Sequence, residues 1–269
     1  MRLLLACALV AGCAATAPQP RPPGQAAPPP SALVEALQKR QQALRTLEIE
    51  TRTTSWLSGD RVRATVPMLV DRAGRLRFEA EVAVQGTVAA LTVNGREFAL
   101  LDLQNHVFHK GPACPTNVAR LIPIPLLPEE IAAILLGDAP LGEGARGVEV
   151  GWDGKKQADV LAVERTAAGA AATQLWITMK KGATGYDVLA VEGQSPGATG
   201  RWRVSYEDLV RAEGFTMPNL IKFAEPGKSF DDGVEIKVRE RLGLNRALKD
   251  EQFTLTPPPG FKIETLLCR

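Results

Sequence analysis

Histidine is almost missing from this chain of 269 residues, with two in all, which limits the acid–base and metal chemistry open to it. Aromatic residues reach only 5%, so much of any interior is alanine and valine and has room for a cavity. Neither sign of charge dominates. Lys plus Arg number 32 against 30 Asp plus Glu, interleaved along the chain, whereas a nucleic-acid binder gathers positive charge on one face. No apolar run approaches the roughly 20 residues of a membrane-spanning helix. A β-α-β rhythm and an internal repeat are lacking too. What is present, 45% hydrophobic and 23% charged residues in 28.9 kDa, excludes wholesale disorder and suits one large domain or two small ones.

The first residues read as an address. Met1 and Arg2 precede the apolar stretch Leu3 to Val10, and Ala11-Gly12-Cys13 follows, which is the order of a secretory signal. Val10-Ala11-Gly12-Cys13 resembles the bacterial lipobox, in which small residues admit the peptidase and the cysteine thiol accepts acyl chains such as palmitate. Residues 1–12 are therefore expected to be a lipoprotein signal peptide and Cys13 the lipidated first residue of the mature protein. Residues 14 to 30 hold seven prolines, a composition that buries no core and favours extended polyproline II. The segment 13–30 reads as a tether that would reach up to roughly 50 Å at about 3.1 Å per residue. Ala14, in place of an aspartate that would retain the protein in the inner membrane, points to a periplasm-facing anchor in the outer membrane.

Residues 31–269 read as a single domain. Leu33, Leu37 and Leu44, with Ala36 and Ala43, lie on one side of a helical projection, and Ser31 is placed to cap it. Period-two alternation then takes over. Leu76, Phe78, Ala80, Val82 and Val84 share one face while Arg75, Arg77, Glu79 and Glu81 share the other, a strand with one apolar and one wet side. The alternation returns at Leu47-Ile49-Thr51, Trp202-Val204-Tyr206 and Val234-Ile236-Val238. Asn94-Gly95 between apolar runs predicts a type I′ hairpin turn. In all about ten or eleven strands are expected, joined by short turns. One helix interrupts them. Pro128 opens it, Glu129 and Glu130 complement its positive end, Ile131, Ile134 and Leu135 form a stripe, and Gly137 closes it.

The run Ile122-Pro123-Ile124-Pro125-Leu126-Leu127 continuing through that helix to Gly137 resembles the LolA/LolB family of bacterial lipoprotein-handling proteins. So do the patterned strands before it and the closing Asn245…Phe253…Pro258-Pro259-Gly260; the likeness spans roughly residues 31 to 265. The resemblance implies an α+β, mainly antiparallel fold: a half-open curved β-barrel of about eleven strands, with a few helices plugging an apolar cavity that holds acyl chains. Members of the LolB branch carry an exposed leucine just before a glycine in an early inter-strand loop, where it aids membrane insertion. Aligning that glycine with Gly86 puts the polar Gln85 at the leucine position, which argues against insertion here.

Three enzyme signatures fail on physical grounds. Gly193-Gln194-Ser195-Pro196-Gly197 spells a nucleophile elbow, but the residue after the serine must donate its N–H to the oxyanion and proline has none; both histidines also precede Ser195. Gly142-Glu143-Gly144-Ala145-Arg146-Gly147 spells a dinucleotide fingerprint, yet a helix precedes it and the strand Val148 to Trp152 follows, the reverse of what a pyrophosphate needs. Gly227-Lys228-Ser229 has Lys222 where a P-loop requires its first glycine. No catalytic constellation and no cofactor site emerge. With Cys7 removed and Cys13 lipidated, Cys114 and Cys268 remain, and two cysteines in an oxidising compartment pair. A metal reading of His106, His109, Cys114 and Asp102 is weaker, because residues three apart on a strand face opposite sides.

Two functions follow. In the first, a lipid-anchored protein binds an acyl chain or a lipidated protein in a cavity lined by Leu47, Ile49, Leu76, Phe78, Val82, Val84, Ile131, Ile134, Leu135, Trp202, Val204, Val234 and Ile236. In the second, the same residues pack a filled core, and a tethered module docks an envelope partner through an edge strand or the basic pair Lys180-Lys181. Neither reading involves nucleic acid or enzymatic chemistry.

Overall fold

The alternation of apolar and charged residues is realised as strands over most of the chain. The computed structural model describes residues 19–57, 60–166, 172–183, 185–194 and 200–268. The signal segment, Cys13 and the Ser195-Pro196-Gly197 turn lie outside the described residues. A helix α1 (Pro30–Ala43) leads into β1 (Thr46–Leu57), β2 (Asp60–Asp71), β3 (Arg75–Val82), β4 (Gly86–Asn94), β5 (Glu97–Asp102) and β6 (Val107–Pro112). Two helices, α2 (Pro115–Val118) and α3 (Pro128–Leu135), separate these from β7 (Arg146–Asp153), β8 (Ala158–Thr166), β9 (Ala172–Gly182), β10 (Gly185–Gln194), β11 (Trp202–Ala212), β12 (Phe215–Ala224) and β13 (Val234–Leu244). A single 3₁₀ turn, Asp250–Phe253, precedes the final β14 (Lys262–Thr265).

All fourteen strands join one sheet in the order β14-β6-β5-β4-β3-β2-β1-β13-β12-β11-β10-β9-β8-β7. The two halves meet where β1 pairs with β13, Leu47 opposite Leu244. Every pairing is antiparallel except β14 with β6. The sheet is mainly antiparallel as expected, but it has more strands than the alternation announced, and β14 and β7 end it without pairing to each other. The surplus comes from short strands such as β14, whose Lys-Ile-Glu-Thr is mostly exposed and shows no apolar periodicity. Its strand geometry is imposed by pairing with β6.

One face of the sheet carries the core, a continuous cluster that runs from α1 through α3 and both halves of the sheet. Parity along β3 puts Leu76 and Phe78 on that face and Arg75, Arg77 and Glu79 on the other, where the guanidinium of Arg77 reaches the Gln252 carbonyl at 2.9 Å. The segment after β13 thus crosses the outer face before adding β14 to the edge.

Local expectations are corrected in three places. Helix α1 begins at Pro30 with Pro29 before it and no side-chain cap, so Ser31 lies inside the helix. The proline φ already suits an N-terminal helical position. In the β4–β5 hairpin Asn94 pairs with Glu97, leaving Gly95-Arg96 as the turn. Only Gly95 has positive φ (68°), the pattern of type II′ rather than I′. Finally, β3 stops at Val82, which is half-buried, and Val84 sits in the turn beyond it with φ 76° and 106% exposure. The alternation that assigned Val84 to the inner face is broken by that turn, so Val84 lines no cavity.

Candidate functional site

Helix α3 is the centre of the core rather than a lid on its surface. Glu129 aside, every residue from Pro128 to Leu141 is buried, so Ala132, Ala133 and Leu136 are enclosed along with the expected stripe of Ile131, Ile134 and Leu135. A helix apolar on all sides must be surrounded. Gly137 ends it with φ 74°, and a Cβ there would come within 2.7 Å of Pro218 on β12. The glycine thus lets the helix turn off against the second half of the sheet.

Beneath α3 lies an apolar seam bounded by Phe78 of β3, Val118 of α2, Ile122 and Ile124 of the connection, Ile131 and Leu135 of α3, and Ile236 of β13. All its lining side chains are hydrocarbon. Its free volume is about 10 Å³, whereas ligand pockets run from roughly 300 to 1,000 Å³. The seam is packed shut. Leu47, Ile49, Leu76, Trp202, Val204 and Val234 are all buried in the same cluster but do not bound that gap. Of the residues expected to line a cavity, the structure brings Phe78, Ile131, Leu135 and Ile236 together around it.

Ionic contacts that the sequence reading missed hold α3 at both ends. The carboxylate of Glu130 accepts from the Leu127 backbone N–H at 3.0 Å and pairs with Arg165 of β8. Beyond Gly137, the carboxylate of Asp138 (0% exposed) accepts from Arg40 Nε of α1 and from Arg72 Nη2 after β2, each at 2.5 Å. The Asp138 carbonyl accepts from the Tyr206 hydroxyl at 2.7 Å. Arg40 also donates to the Thr216 carbonyl at 2.9 Å, and Arg72 to that of Leu44 at 2.7 Å. Burial, reinforced by the Asp138 carboxylate, pushes the Tyr206 phenol well above its ordinary range. Burial also lowers Arg72, against the pull of Asp138. One signal was available: Asp138 is a lone acid in an otherwise apolar run.

Cys114, at the start of α2, and Cys268 after β14 face each other with Cα atoms 6.0 Å apart, the spacing a disulfide needs. The remaining donors of the metal reading go elsewhere. His106 lies on the Phe261 ring at 5.2 Å, and His109 Nδ1 is 3.3 Å from Glu264. Asp102 takes the N–H groups of Gln104 and Asn105 in its own turn. On the outer face, an open groove of about 590 Å³ lies between β4–β6 and residues 253–255, with Thr92, Arg96 and Lys110 among its lining. The loop from Gly142 leads into β7 and not into a helix. Among the described residues no helix is long and apolar enough to cross a membrane.

The end of the proline-rich segment is fastened to the domain. Gln19 N–H donates to the Gly154 carbonyl at 3.0 Å and Trp152 Nε1–H donates to the Gln19 carbonyl at 3.0 Å. Arg21 pairs with Asp159 at 2.7 Å, donates to the Gly151 carbonyl at 3.1 Å, and lies over the Trp152 ring at 4.7 Å. From Gln19 to the start of α1 the segment is a strap against the β7–β8 turn, so the described part of the expected tether does not stand free of the domain.

No protein-family model and no curated protein matches the sequence. Solved structures do share the fold. A LolA superfamily protein from Nitrosomonas europaea aligns with a TM-score of 0.56 at 13% identity, over 83% of this chain and 98% of that one. A domain named for outer membrane lipoprotein sorting, from Vibrio parahaemolyticus, gives 0.58 at 10% identity over 84% and 97%. A DUF1329 family protein from Desulfovibrio piger gives 0.59 at 10% identity over 84% and 95%. At these identities the likeness is one of fold.

Proposed function

We propose, from the LolA-superfamily fold as premise, that this chain is an envelope lipoprotein that binds an acyl chain or a lipidated protein between α3 and the sheet. It would be held at the outer membrane by acylated Cys13 and closed at its C-terminus by a Cys114–Cys268 disulfide, with a binding rather than a catalytic role. The observation that carries this reading is the wholly hydrocarbon seam under a helix fastened by ions at its two ends. An acyl chain entering there gains about 0.8 kcal/mol per buried methylene. Entry requires α3 and the 119–127 connection to move, because about 10 Å³ admits no ligand. The Asp138 and Glu130 pairs then act as the closures, and the sheet faces bearing Leu76, Phe78 and Ile236 as the open half-barrel's wall.

The exposed tip at Val84 supports the same reading. A β-branched residue in left-handed backbone is strained, and its side chain stands in water. Nothing in the fold offsets either cost, which is the mark of a contact residue. It sits two positions before Gly86, and the polar Gln85 still holds the position at which the family resemblance implies a leucine.

A second reading, a ligand-free module with a filled core, is favoured by the size of the void. Native mass spectrometry before and after organic extraction separates the two. Adducts of lipid mass that extraction removes, with uptake of a fluorescent fatty acid, are the expected result. A bare polypeptide that takes up no fatty acid overturns the carrier reading in favour of the filled module.

A further inference from the structure

The fastened strap does more than shorten the tether: it decides which end of the sheet lies nearest the anchor. Five residues separate Cys13 from Gln19, a span of about 20 Å at most. Gln19 and Arg21 are pinned at the β7–β8 turn. That turn carries Lys155 and Lys156. The β9–β10 hairpin, which leaves the sheet at the same end two strands away, carries Lys180 and Lys181. All four are exposed and none has an ion-pair partner among the described residues. The acids near them are otherwise engaged or outnumbered. Asp153 accepts the backbone N–H groups of Lys155 and Lys156 at 2.9 and 3.0 Å, Asp159 holds Arg21, and Asp187 stands opposite Lys180 in register. Between strap and hairpin is a cleft of about 350 Å³ lined by Pro22, Gln25, Trp152, Lys180, Lys181 and Tyr186.

Free ammonium groups beside a half-buried tryptophan and tyrosine make a surface suited to the headgroup level of a bilayer. There aromatic rings with a polar tip and long-stemmed cations settle together. We infer that the β7–β8 and β9–β10 turns form a docking face for anionic phospholipid, which lays this end of the domain on the membrane that anchors it. The inference rests on the lipid anchor of the proposed function for proximity, but the charge pattern stands apart from it. Each lysine near an anionic leaflet strengthens binding roughly five-fold, an effect that salt weakens.

The test reconstitutes the full chain, purified in detergent, into vesicles of phosphatidylcholine alone or of equal parts phosphatidylcholine and phosphatidylglycerol. A water-soluble amine-acylating reagent then reports the reactivity of each lysine, and intact mass reports acylation of Cys13. The expected result is a loss of reactivity at Lys155, Lys156, Lys180 and Lys181 on the anionic vesicles only, reversed by salt, with Lys237 on β13 unchanged. An acylated chain whose four lysines react equally on both vesicles overturns the docking face and leaves the anchor standing. Protection that follows a co-purifying protein rather than phosphatidylglycerol also overturns it. If Cys13 carries no acyl mass, the anchor reading fails. Flotation with the anionic vesicles, lost in the Lys155→Gln/Lys156→Gln/Lys180→Gln/Lys181→Gln variant, then still supports the face, and no flotation overturns it.

Discussion

Replacing Asp138 with alanine removes the carboxylate that two buried guanidiniums share. Arg40 and Arg72 are only 13% and 12% exposed, and each loses a 2.5 Å charge-assisted hydrogen bond. Their attachments to the carbonyls of Thr216 and Leu44 persist, so neither can swing to solvent without breaking those as well. Removing one member of a buried ion group leaves charge uncompensated and costs about 3–5 kcal/mol, a large share of a typical total of about 5–15. For a domain of this size that lowers the melting temperature by roughly 6–20 °C. Urea denaturation and thermal circular dichroism of Asp138→Ala against wild type measure it. Asp138→Asn is expected to lose most of the same stability, because one end of its amide presents a donor to an arginine. The triple change Arg40→Met, Arg72→Met, Asp138→Leu is expected to recover much of it, since hydrocarbon of similar volume replaces the whole group. A loss below about 1 kcal/mol in Asp138→Ala, the value of an exposed pair, would refute the argument that these ions clamp α3.

Tyr206→Phe leaves the buried Asp138 carbonyl without its donor and is expected to cost about 1–3 kcal/mol near neutral pH. The native phenol is held above its ordinary value of about 10, so its contribution is complete below that pH and falls away as pH rises further. The gap between wild type and Tyr206→Phe should therefore narrow above about pH 10 in denaturation measured against pH, and parallel curves would contradict the burial assignment. The proposed Cys114–Cys268 bond would close a sequence separation of 154, and its reduction is expected to lower stability by up to about 5 kcal/mol. Denaturation with and without reductant reads that loss, and an intact mass without the loss of two hydrogens would show that no bond forms. Val84→Asn suits left-handed backbone and should raise stability by about 1 kcal/mol, read by urea denaturation against wild type. A variant no more stable than wild type would mean that the tip is unstrained.

Periodicity made the sheet legible, because a strand with one face in water must alternate whatever it pairs with. For that reason Leu76, Phe78, Val204 and Ile236 were identified as inward residues, and all are buried. The same logic overreached at Val84, where a turn ends the alternation one step early, and it passed over β14, whose strand state comes from its neighbour. Helix α3 was legible from its proline, its acids and its glycine. That it is enclosed on every side was not, since a stripe at helical spacing says which face is apolar and not how much protein wraps the others.

What the sequence by itself determined is therefore local: that the chain is mostly alternating strand, where α3 lies, which faces are apolar, and the candidate address and cysteine pair. The tertiary structure decided the rest. It closed the seam to about 10 Å³, joined Arg40, Arg72 and Asp138 across long stretches of chain, and fastened Arg21 to Trp152 and Asp159. The reason is physical. Periodicity is set by bond geometry within a few residues, whereas packing density and the partnering of buried charge depend on side chains that only the fold makes neighbours.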